Sequence, residues 1–118
     1  MAPLRHPMID ESPFPYEGPD DLQQPVIDAL RRVVDPEVAL SIVDVGLVYS
    51  VTVSDDRLHV CLTMTSAACP VADVILADVE RELEGIAPPE LAVDVELVWD
   101  PPWTPDRMSE GAKRFMGW

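Results

Sequence analysis

Residues 57–65 alternate without a break, with Leu58, Val60, Leu62 and Met64 on one side and His59, Cys61, Thr63 and Thr65 on the other. A period of two requires a strand with one buried face and one open face. The run before it, Leu47 to Val53, is rich in β-branched residues. Ser54, Asp55 and Asp56 separate the two runs, which is hairpin spacing. Downstream, Cys69-Pro70 opens a helical stripe of Ala72, Ile75 or Leu76, Val79 and Leu83. Gly85 caps that stripe and Pro88-Pro89 prevents its continuation. Leu91, Val93, Val95, Leu97 and Trp99 then alternate with Ala92, Asp94, Glu96 and Val98. A strand–helix–strand crossover of this length places the third strand parallel to the second.

Upstream, Leu22, Val26, Leu30 and Val33 or Val34 follow helical spacing from a start near Asp20 or Asp21. Asp followed three residues later by Gln24 resembles a capping box, and Pro25 suits a first turn. Pro36 stops the helix by disfavouring the α region at Asp35. Val38 to Gly46 reads as an irregular loop with room for one helical turn. After the third strand, Asp100-Pro101-Pro102-Trp103-Thr104-Pro105 forms a rigid elbow. A short last helix follows, with Met108, Ala112, Phe115 and Met116 on one side. The expected order is helix, strand, strand, helix, strand, short helix. This is a two-layer α+β domain with a three-stranded mixed sheet and helices on one face. It spans residues 20–118, after a flexible, proline-rich acidic leader over residues 1–19. Six of the 13 prolines fall in the first 25 residues. His6, Phe14 and Tyr16 are read as ordinary tail residues.

With 22 acidic and 8 basic side chains the formal charge is −14. A phosphate backbone or an anionic membrane surface would repel such a chain, so neither nucleic acid nor membrane is an expected partner. No stretch approaches the ~20 apolar residues of a membrane helix, and residues 1–19 lack the apolar run of a signal peptide. The expected compartment is the cytoplasm. Two cysteines make neither a disulfide framework nor a four-thiolate metal site.

Cys69 is the most pointed residue. At a helix N-terminus, free backbone N–H groups favour its thiolate. The plainer reading is a small capping residue in a reduced protein. Cys61, mid-strand, reads as a small packed residue. Asp35-Pro36-Glu37 sets two carboxylates on a stiff turn, either as acid–base groups or hard iron ligands, or simply as turn chemistry. Asp44-Val45-Gly46 reads first as a turn. A thiol enzyme needs a base beside its nucleophile. Only His6 and His59 exist, and His59 reads as a sheet-surface residue. The acidic run Asp78, Glu80, Glu82 and Glu84 reads as a solvated helix face. Trp99 and Trp103 are a candidate partner-binding edge, or packing over the sheet end.

Four motifs then appear in order: Asp35-Pro36-Glu37; Ser41-Ile42-Val43-Asp44-Val45-Gly46-Leu47-Val48; Thr63-Met64-Thr65-Ser66-Ala67-Ala68-Cys69-Pro70; and Trp99-Asp100-Pro101-Pro102-Trp103-Thr104-Pro105-Asp106-Arg107-Met108-Ser109. Together they resemble the SufT/PaaD-like family of iron–sulfur cluster assembly domains, over about residues 22–118. The resemblance implies an α+β domain that helps mature iron–sulfur proteins, and without a convincing Cys–His pair no enzyme is expected. It implies a reactive Cys69 as transient metal ligand, an acidic turn at Asp35 and Glu37, an Asp-x-Gly at Asp44 and Gly46, and Thr65 before the Cys-Pro step. No tightly bound cofactor is expected, only a transient iron–sulfur cluster or iron. Expected partners are client apoproteins, the cluster-assembly machinery and a second copy of the chain. One such cysteine per chain implies ligation shared with another chain, a small thiol or the client. The competing readings are a cysteine-dependent thiol enzyme and a protein-interaction adaptor without metal chemistry, including a helper of an aromatic-degradation oxygenase.

Overall fold

The computed structural model describes residues 13–65 and 72–117. In chain order it contains β1 (Tyr16–Glu17), α1 (Asp20–Arg31), β2 (Val34–Asp35), β3 (Leu40–Ser41), α2 (Ile42–Val45), β4 (Val48–Val53), β5 (Arg57–Leu62), α3 (Ala72–Glu84), β6 (Ala92–Leu97), a 3₁₀ turn (Pro105–Arg107) and α4 (Glu110–Met116). The main sheet runs β1-β4-β5-β6. β4 and β5 form the expected antiparallel hairpin, and β6 lies parallel to β5. The fold is thus the expected α+β domain with a mixed sheet.

The sheet has four strands rather than three, because the leader supplies one. β1 pairs parallel to β4, with Tyr16 opposite Val51. Phe14 is buried in the core. Phe14 and Tyr16 are therefore part of the packed unit and not tail residues. Exposing an aromatic ring costs more than ordering the few residues that deliver it.

The period-two pattern does its expected work in β5. Leu58, Val60 and Leu62 are fully buried, together with Val51 of β4. Val26, Ala29 and Leu30 of α1 and Ile75, Val79 and Leu83 of α3 complete the same cluster. The ion pair from Arg32 to Glu82, at 2.7 Å, joins the two helices on their outer side. Glu82 is therefore engaged, as is Asp78, paired with Arg81 at 2.7 Å, while Glu80 and Glu84 of the acidic run are exposed.

Several local readings change. α1 starts at Asp20, but Pro19 occupies the capping position and no side chain caps it. Gln24 instead donates to Asp28 Oδ1 at 2.9 Å, one turn on. The helix ends at Arg31, before Pro36 can stop it, and Val34–Asp35 pairs with Leu40–Ser41 as a small hairpin. The segment read as an irregular loop with room for one helical turn holds β3 and, as that turn, α2. Ser41 Oγ caps α2 by accepting from the Val43 N–H at 3.1 Å. In the last helix, Met108 and Ala112 are buried as expected, but Phe115 is 68% exposed. Its helix turns only one narrow stripe toward α2.

Candidate functional site

Register pairs Val48 with Leu62, and Leu62 with Leu97. The entry to β4 and the exits from β5 and β6 therefore share one end of the sheet. α2 sits at this end, with described parts of the motif segments beside it or beside Leu47, which follows it. The Ile42 N–H donates to the Val33 carbonyl at 2.9 Å, and the Thr63 N–H donates to the Leu47 carbonyl at 2.8 Å. Trp103 Nε1–H donates to the Val45 carbonyl at 2.8 Å. The Ser109 N–H donates to the Asp44 carbonyl at 2.8 Å. α2 thus ties together the acidic hairpin and the proline elbow, and Leu47 just after it holds the exit of β5.

Asp35 is only 1% exposed. Its Oδ1 accepts from the Glu37 N–H at 2.9 Å, an Asx turn that closes the hairpin. Its carbonyl accepts from the Ala39 N–H at 2.8 Å. Ala39 adopts a left-handed φ of 61° to complete the turn. Pro36 and Glu37 project to solvent. The two carboxylates of the motif are therefore divided: Asp35 is turned inward and Glu37 outward.

Asp44 is half-buried and faces α1, with Oδ1 3.6 Å from Arg31. Its side chain joins an ion pair, while its carbonyl holds the elbow. Gly46 closes α2 in the left-handed region, φ 84°. Trp103 is half-buried against the core, whereas Trp99 is 45% exposed. Tyr49 hydroxyl donates to the Pro101 carbonyl, and Arg107 stacks over the Tyr49 ring at 4.0 Å. The elbow is thus clamped from both sides.

Thr65 is half-buried just past β5. Cys69, with Ser66, Ala67, Ala68 and Pro70, lies outside the described residues. Alternation placed Thr63 on the open face, yet Thr63 is fully buried. β5 ends at Leu62, so beyond it the pleat no longer governs direction. The Thr63 Oγ1 finds no hydrogen-bond partner among the described residues. A buried hydroxyl without a partner is costly, which marks Thr63 as a residue that alternation alone misplaced.

A second constellation lies on the open face of the sheet. Cys61 and His59 are both half-buried there, opposite Glu96 and Asp94 in register. His59 Nδ1 lies 2.7 Å from Asp94 Oδ2, and His59 Nε2 lies 3.2 Å from Glu96 Oε1. Cys61 Sγ is 3.4 Å from His59 Nε2 and 4.0 Å from Glu96 Oε1. Arg57 approaches Asp94 at 3.6 Å. His59, Cys61 and Glu96 are the described residues whose donor atoms gather closely enough for a metal ion. The reading of Cys61 as a packed residue and His59 as plain surface missed this grouping. The available signal was the His-x-Cys pair on one strand and Asp-x-Glu on its parallel neighbour, which only the register brings together.

Residues 23–96 match a family described as iron-sulfur cluster assembly protein. The chain is 43% identical over 98 residues to the Fe-S protein maturation auxiliary factor YitW of Bacillus subtilis, covering 81% of this chain and 94% of that one. It is 44% identical over 87 residues to the Fe-S protein maturation auxiliary factor SufT of Staphylococcus aureus, covering 72% and 97%. The structure resembles a domain of unknown function from Bacillus anthracis with a TM-score of 0.75 and 38% identity, over 83% of this chain and 93% of that one. The motifs and their shared position at one sheet end agree with these likenesses. This chain belongs to the iron–sulfur cluster assembly protein family.

Proposed function

We propose that this protein is a cytoplasmic maturation factor that helps deliver iron–sulfur clusters, or iron, to client apoproteins. The observation that carries this reading is the gathering of the described parts of the family's motif segments around α2 and Leu47 at one end of the sheet. Family membership supplies the chemical context, since two close relatives are named as Fe-S protein maturation auxiliary factors. The thiol offered to the cargo is Cys69, a soft ligand suited to iron–sulfur chemistry. Asp35, Glu37, Asp44 and Thr65 are the motif residues proposed to act with it: Asp35 and Asp44 hold the hairpin and α2 in place, while Glu37 and Thr65 stand nearer solvent. One such thiol per chain makes ligation shared, with a second copy or a client providing the rest. Shared ligation suits a cargo that must leave. The exposed ring of Trp99 offers apolar contact area to a client. Trp103 is committed to holding the elbow.

The role is that of a carrier or adaptor and not an enzyme. The test is a deletion strain complemented with wild type or Cys69→Ala, reading several iron–sulfur enzymes in one extract. Wild type should restore them and Cys69→Ala should not. Full rescue by Cys69→Ala would remove the reactive thiol from the mechanism. Loss across all the enzymes indicates general maturation, and loss of one indicates a dedicated helper.

A further inference from the structure

We propose that His59, Cys61 and Glu96 form a binding site for one divalent transition-metal ion of the zinc class, on the sheet face opposite α1 and α3. The donors are one imidazole nitrogen, one thiolate and one carboxylate, a mixed set typical of zinc with an open fourth position. A tetrahedral ion bonded at about 2.3 Å to sulfur and about 2.0 Å to nitrogen and oxygen sets its donors about 3.3–3.6 Å apart. Here His59 Nε2 and Glu96 Oε1 are 3.2 Å apart, and Nε2 and Cys61 Sγ are 3.4 Å apart. Only the Cys61–Glu96 separation of 4.0 Å is long. The Glu96 side chain is 57% exposed and free to close that gap.

The surroundings carry the argument further than the three donors. A metal-binding histidine donates its other ring N–H to a carboxylate, which fixes its tautomer and aims its lone pair. Asp94 Oδ2 stands 2.7 Å from His59 Nδ1 in that role, leaving Nε2 directed toward Cys61 and Glu96. Arg57 in turn holds Asp94. All four acting side chains rise from two same-face rungs of paired strands, His59–Asp94 and Cys61–Glu96, so the backbone holds their spacing. Binding releases the Cys61 thiol proton to solvent as the sulfur–metal bond forms.

Cys61, His59 and Asp94 also line up as nucleophile, base and orienting acid. The carboxylate of Glu96 argues against that use. It occupies the space beside both sulfur and Nε2, and its negative charge would oppose the oxyanion of any acyl intermediate. As a third ligand the same carboxylate is an asset.

The test uses the full chain carrying Cys69→Ala, so that Cys61 is its sole thiol and the outcome is independent of the proposed maturation role. Cobalt(II) titration should give one equivalent bound, with a thiolate-to-cobalt charge-transfer band that zinc(II) bleaches. Adding Cys61→Ser should abolish the band. Asp94→Asn touches no metal and should weaken zinc affinity by about 10- to 100-fold. Glu96→Gln, at an exposed position, should also weaken it with unchanged far-ultraviolet circular dichroism. Absence of stoichiometric binding, or a band that survives Cys61→Ser, would overturn the site. So would acylation of Cys61 by an activated thioester at a rate that one equivalent of zinc leaves unchanged, which would instead make the group a nucleophile.

Discussion

A methyl group at Gly46 would stand 2.7 Å from both the carbonyl carbon and the Cβ of Arg107, on a backbone with φ of 84°. Conformational strain and the clash act together, so Gly46→Ala should cost about 3 kcal/mol in a urea melt. The requirement for glycine was readable as turn chemistry, but the close approach of the elbow was not, because residues 46 and 107 are far apart in sequence. Thr63 presents the reverse case. Its buried hydroxyl has no partner among the described residues, so Thr63→Val should leave stability unchanged or raise it by about 1 kcal/mol. The same variant assayed for client activation shows whether that hydroxyl serves the site. Burial, with the charges of Asp21 and Asp20 beside it, pushes the Tyr16 hydroxyl up from 10.0 to about 12. The folded protein therefore holds this proton more tightly than the unfolded chain. Tyr16's contribution to stability is complete below pH 10.0 and is lost as pH rises toward about 12. Phenolate absorbance should show a step near 12 that Tyr16→Phe removes.

Among the elements, α2 and α4 matter more than their lengths suggest. α2 has four residues, too few to be stable alone. It persists because Ile42, Val43 and Val45 are buried and because its carbonyls receive Trp103 and Ser109. Trp103→Phe keeps an aromatic ring but loses the Nε1–H bond, and should cost about 1 kcal/mol. Its larger effect should be faster hydrogen exchange across residues 99–109. Ser109 Oγ caps α4 by accepting from the Ala112 N–H at 3.1 Å. Ser109→Ala should cost about 1 kcal/mol and raise exchange over Glu110–Met116 without disturbing β5. The long elements were readable from periodicity: β5 buries Leu58, Val60 and Leu62, α3 buries Ile75, Val79 and Leu83, and Val93, Val95 and Leu97 of β6 pack half-buried against the same core. The two-residue strands were not, and α2 was readable only as room for one helical turn, because a pattern needs several turns or rungs to declare itself.

For the whole molecule, the N-terminal attachment decides where the domain begins. Phe14→Ala should lower stability by about 3 kcal/mol, because a buried ring is lost from the core and β1 loses its anchor. If residues up to 19 were only a leader, the same change would be silent in a urea melt. No helix among the described residues is long and apolar enough to cross a membrane. The sequence by itself determined the α+β class, the antiparallel hairpin, the parallel return of β6 and the buried face of β5. Those follow from local periodicity and from the handedness of a crossover, which are properties of neighbouring residues. Only the tertiary structure decided that Phe14 is core and that Asp35 and Glu37 part ways. It alone showed that Thr63 turns inward and that His59 and Cys61 meet Asp94 and Glu96. Each of these depends on contacts between residues distant in sequence, or on where a strand stops. Periodicity says which way a side chain points along its own strand, but only register says what it meets on the next.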